Sequence, residues 1–157
     1  MCDIPIPVAS EENIVRAVFS QHLDGNSLKK NFFRDEGTSV MRHTYMGTDQ
    51  CRAKAKQIVP GNANVRYKGL AITRVSAFRE NGSDIIDSRG IYCGHAHVTH
   101  MQQLQQAEPG EPVEDPNQLM NLDERLRALK KATRVCLEAD PSDPNWTGPQ
   151  VEPLPQQ

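Results

Sequence analysis

Val65–Phe78 reads VRYKGLAITRVSAF, and its alternation decides the fold class. Val65, Tyr67, Ala71, Thr73, Val75 and Ala77 fall on one face of an extended chain, with Arg66, Lys68, Arg74 and Ser76 on the other. Leu70 and Ile72 interrupt the polar face, which predicts that something covers its middle. A strand of that length needs partners, and the segments around it supply candidates.

Downstream, Asn81-Gly82 is a strong hairpin signal. It leads into a short run at 84–90 and then into IYCGHAHVTH at 91–100, the last strand candidate. Upstream, Thr38 to Tyr45 (TSVMRHTY) is rich in β-branched and aromatic residues and predicts another strand. Ser10 offers an N-cap followed by Glu11 and Glu12, and Ile14, Val15, Val18, Phe19 and Leu23 recur at helical spacing. This predicts a helix over 10–23, ended by Asp24-Gly25-Asn26. Thr48 can open a second helix through Cys51, Ala53, Ala55 and Ile58, with Pro60-Gly61-Asn62 as its stop.

Residues 101–107 read as helix, and 108–118 as an acidic, Pro-rich linker. Leu119, Leu122, Leu126 and Leu129 then form one stripe of an amphipathic helix over 119–138, predicted to dock on the body. The tail 139–157 is Pro-rich and predicted irregular. The expected fold is α+β: residues 1–107 form a compact domain, with a small antiparallel sheet of about four strands and two or three helices on one face. Both termini are expected to be irregular.

Aromatic residues make up only 5% of the 157, which predicts a small core. The net charge of −2 argues against a strongly electrostatic nucleic-acid binder and leaves only weak support for a nucleic-acid partner. No run is long enough to cross a bilayer, so no membrane partner is expected. MCDIPIPVASEEN lacks the basic and apolar regions of a secretory leader. Cys2, Cys51, Cys93 and Cys136 form no CxxC pair. These features predict a cytoplasmic protein with reduced thiols.

The densest chemistry lies in IYCGHAHVTH, which holds three of the five histidines. On a regular strand Cys93, His95 and His97 share one face and His100 takes the other. Thiolate and imidazole suit zinc, so Cys93, His95 and His97 are the candidate metal ligands. The spacing of His95, His97 and His100 resembles the HxHxxH run of metallo-β-lactamase-type hydrolases. The likeness covers six residues, and Thr99 stands where that family usually carries Asp before its last His. Neither fold nor activity follows from it. A metal-free alternative uses His95, His97, His43 and Arg42 as catalytic groups, with imidazoles as acid and base and guanidinium on a phosphate.

No phosphate-binding glycine loop, GxSxG or HExxH pattern occurs. The catalytic set is incomplete, so the leading expectation is a small binding or accessory component of an assembly. Its protein partner would be met through the 119–137 helix. The alternative is a small hydrolase, metal-dependent or a metal-free ribonuclease, built on the histidines of 93–100.

Overall fold

β-Branched and apolar residues on both faces make Asn13–Phe19 (NIVRAVF) a central strand, β1, with six of its seven residues buried. The helix expected over 10–23 is therefore replaced by a strand, followed by a 3₁₀ turn at Ser20–His22. Runs such as Ile14-Val15 and Ala17-Val18-Phe19 fit either periodicity, and tertiary pairing decides between them. The computed structural model describes residues 2–62, 64–100 and 117–138. The expected helix at 101–107, most of the linker and the tail 139–157 lie outside them.

After the 3₁₀ turn come two short strands, β2 (Leu23–Asp24) and β3 (Ser27–Leu28), paired as Leu23↔Leu28 and Asp24↔Ser27. Gly25 opens their two-residue turn at φ +65, a conformation glycine adopts without steric cost. The Asp24-Gly25-Asn26 signal thus marks a hairpin, not a helix end.

Strand β4 (Ser39–Arg42) ends three residues before the expected strand does, because His43 starts helix α1 (His43–Lys56). Gly47 is non-helical inside α1 and kinks it, so the regular helix follows Thr48, as the sequence predicts. Strand β5 (Tyr67–Arg74) covers only the middle of 65–78, and Val75–Glu80 turns into helix α2. Asn81 caps that helix, so Asn81-Gly82 closes a helix instead of a hairpin. Strands β6 (Asp84–Asp87) and β7 (His95–Thr99) follow, then helix α3 (Asn117–Ala132) and strand β8 (Arg134–Leu137). The last strand replaces the end of the expected 119–138 helix, and all four of its residues, Arg134 to Leu137, pair with β5.

Six strands form one antiparallel sheet in the order β6-β7-β4-β1-β5-β8, larger than the four expected. Helices cover both of its faces, not one. Ile14, Val18, Val40, Ala71, Ala96 and Val98 pack with Val75 and Phe78 of α2 and with Leu126 and Leu129 of α3. Val15, Ala17, Met41, Leu70 and Ile72 pack with Cys51 and Ala55 of α1. The apolar Leu70 and Ile72 on the supposed polar face are thus the seat of α1. Leu129 is fully buried, and a Leu side chain in that state contributes about 1.5–3 kcal/mol. Thr73 of β5 donates to the Thr133 hydroxyl at 2.7 Å, which in turn donates to the Leu129 carbonyl, tying α3 to the sheet.

The β1–β5 register shifts between Val18↔Gly69 and Phe19↔Tyr67, skipping Lys68. This bulge reverses the alternation, so Tyr67 lies with Leu70 and Ile72, not with Ala71 and Thr73. Residues 2–9 are fastened across the β4–β6 end of the sheet by Cys2–Cys93, a disulfide that corrects the expectation of fully reduced thiols. Cys51 and Cys136 are free and buried.

Candidate functional site

The residues singled out in the sequence occupy separate environments. Arg42 is fully buried and accepts no role at a surface. Its guanidinium pairs with Glu12 and Asp87, each at 2.8 Å, and donates to the carbonyls of Pro5 and Pro7. Burial alone would raise the Asp87 carboxyl, but hydrogen bonds from Arg89 and Arg42 outweigh it and hold it low. Arg42 therefore anchors the N-terminal segment.

His43, at the start of α1, is buried, with Nε2 3.0 Å from the Thr48 hydroxyl. Its Nδ1 has no partner among the described residues, and burial pushes its pKa down. His95 is buried against Tyr92, ring centroids 5.0 Å apart, with Nδ1 2.6 Å from the Ser88 hydroxyl. Burial first, then the charge of His97, lowers its pKa. His97 lies two residues on, half-buried and paired across β4 with Ser39. Cys93 is bonded to Cys2 and offers no thiolate. Among the described residues, no three His, Cys, Asp or Glu side chains converge as a metal site.

His100 sits on the other core. Its Nε2 donates to the Phe33 carbonyl at 2.6 Å, which leaves Nδ1 to accept from the Ser83 hydroxyl at 2.7 Å. His100 thus joins the 32–33 segment to Ser83, just before β6.

A different cluster opens where β1 and β4 part. These strands pair only at Ile14↔Arg42 and Val15↔Met41. Beyond that point a cavity of about 520 Å³ lies between Ala17 and Phe19 of β1, Ser39 and Met41 of β4, and Ile58, Pro60, Asn62 and Val65. Tyr92 closes one side, so His95 stands behind the cavity wall. A second, more polar cavity holds Lys29, Asn31, Arg34 and Asp35. Arg16, Gln21 and His22 line both.

Arg16 and His22 have a defined relation. The Phe19 amide donates to His22 Nδ1 at 3.0 Å. A backbone N–H can only donate, so Nδ1 is the bare nitrogen and the neutral ring carries its proton on Nε2. That Nε2 lies 3.5 Å from Arg16 Nη2, also a donor. Two N–H groups thus face one another at the cleft. Burial, then the charges of Arg16 and Lys29, pushes the His22 pKa down to about 4, so it stays neutral near pH 7. Burial likewise pulls Arg16 down to about 10, against the pull of Asp35, and it stays charged. Arg16 is held by the Phe32 carbonyl and lies 4.4 Å over the Phe32 ring.

This arrangement suits an oxygen acceptor placed between Arg16 and His22. Among the described residues no carboxylate or thiol lines the larger cavity, and Asp35 lines the smaller one. The Tyr92 phenol is pushed up to about 12 by burial and is no nucleophile at neutral pH. Sequence reading missed Arg16 and His22 because it placed both on a helix. The signal was present in the β-branched NIVRAVF run and the Gly25 turn, which put His22 at the foot of a hairpin. No protein-family model matches the chain, and neither a curated protein nor a solved structure is detectably similar to it.

Proposed function

We propose that the protein is a binding module, an accessory component rather than an enzyme, and that it takes a small anionic ligand in the Arg16–His22 cleft. One observation carries this reading: Arg16 Nη2 and His22 Nε2 lie 3.5 Å apart and both present N–H groups to the cleft. An oxyanion placed beside both nitrogens accepts from both at once. A protein partner met through α3 would have to use a face other than that of Leu126 and Leu129, which are buried in the core. Cytoplasmic placement rests on the sequence, and the Cys2–Cys93 bond pulls against it, because cytosolic thiols are kept reduced.

The test is an NMR titration of the full chain with benzoate and with phenyl phosphate. Binding at the cleft shifts the backbone amides of Phe19, His22 and Met41 saturably, and Arg16→Gln abolishes the shifts. If neither anion moves those amides at millimolar concentration, the reading is wrong. The alternative, a hydrolase on His95 and His97, is supported by their shared face on β7. Ser88 holds His95 Nδ1, so the chemistry would fall to Nε2.

A further inference from the structure

The two cavities that share Arg16 and His22 differ in character. The smaller carries Arg16, Lys29 and Arg34 against Asp35 alone, with His22 neutral. Three cations against one carboxylate leave a surplus of two positive charges. A carboxylate ligand would cancel half of that. A phosphomonoester above its second pKa, near 6, carries about two negative charges and three acceptor oxygens. Lys29 and Arg34 are exposed and can swing onto such a group, whereas Arg16 is held in place by Phe32.

The larger cavity is a different environment. Phe19, Met41, Ile58, Pro60, Val65 and Tyr92 give it an apolar wall. Its volume of about 520 Å³ is within the range of small-molecule sites, and two rings and a thioether suit a ring-bearing ligand.

We propose that the cleft binds a dianionic phosphomonoester carried on an apolar body. The phosphate sits among Arg16, His22, Lys29 and Arg34, and the body lies against Phe19, Met41 and Tyr92. This rests on the cleft's being an anion-binding site, and it adds the charge and shape of the ligand. A simple aryl phosphate and a nucleoside monophosphate share the chemistry.

Isothermal titration calorimetry on the full chain separates the cases, with phenyl phosphate, adenosine 5′-monophosphate, inorganic phosphate and benzoate as probes. Phenyl phosphate or the nucleotide is expected to bind at least about tenfold more tightly than benzoate or inorganic phosphate, a difference of about 1.4 kcal/mol. Whichever of those two binds more tightly identifies the source. The K29Q/R34Q variant changes two exposed side chains, so the fold should survive, which a thermal melt checks. It is expected to weaken phenyl phosphate about tenfold or more. Benzoate binding as tightly as phenyl phosphate, or an affinity unmoved by K29Q/R34Q, would overturn the dianion while leaving an anion site in place. Inorganic phosphate matching phenyl phosphate would overturn the apolar body. Loss of every anion would remove the binding reading beneath both.

Discussion

Arg42 Nη2 lies 2.8 Å from Glu12 Oε2, and both side chains are almost wholly buried, at 0% and 2% exposure. Asp87 pairs with the same guanidinium and with Arg89, so two cations face two carboxylates, and Arg42 also donates to the carbonyls of Pro5 and Pro7. Arg42→Met is expected to destabilise the protein by about 3–5 kcal/mol, since it leaves buried Glu12 without its cation and Asp87 with Arg89 alone. Arg42→Lys should recover little, because an ammonium cannot make the forked contacts. Urea unfolding checks both, and an unchanged midpoint for Arg42→Met would show that the cluster is not holding the segment.

Gly69 marks a second point of no tolerance. A Cβ there would stand 2.2 Å from the Cys136 carbonyl oxygen, at φ +154. Gly69→Ala should push β8 off the sheet and weaken amide protection at Leu70 and Cys136, read by hydrogen exchange. Protection equal to the parent's would mean that β8 does not approach so closely.

Acid should act through His22. Its folded pKa of about 4 lies below the ordinary 6.5, so the unfolded chain takes up the proton first. Stability is therefore full above 6.5 and falls as pH drops from 6.5 to about 4, where the folded ring protonates too. His43 and His95, both lowered by burial, act in the same direction below 6.5. His22→Gln should flatten part of this slope in urea midpoints taken across the window. An identical slope in the variant would remove His22 from the account.

The disulfide spans 91 residues of sequence, and a disulfide typically stabilises by about 2–4 kcal/mol. The C2S/C93S variant should lose about that amount in reversible thermal melts. Its first segment stays docked through Arg42 and through Arg89, which donates to the Ile4 carbonyl at 2.6 Å. A variant melting with the oxidised parent would contradict the stabilising role.

The long apolar alternation at 67–74 was legible as a strand, and so was the helix after Gly47. The strand at 13–19 was not: Ser10-Glu11-Glu12 mimics a helix start, yet Glu12 accepts from the Ala9 amide and pairs with Arg42. Those are tertiary roles that no local pattern carries. The histidines of IYCGHAHVTH drew attention by density, and burial with hydroxyl partners explains two of them, His95 and His100. Arg16 and His22 lie six positions apart and meet only because a turn and a hairpin fold back beside β1.

Strand β1 sits at the middle of the sheet although it is the earliest strand described, and its main partner ends with Asn13↔Arg74. On a ribosome, NIVRAVF would emerge and wait, apolar on both sides, through the making of β2, β3, β4 and α1 before β5 could pair with it. Its neighbour β5 waits again for β8. Until β5 is made, β1 can pair only with β4, at two positions, and the residues that later form both cores lack most of their partners.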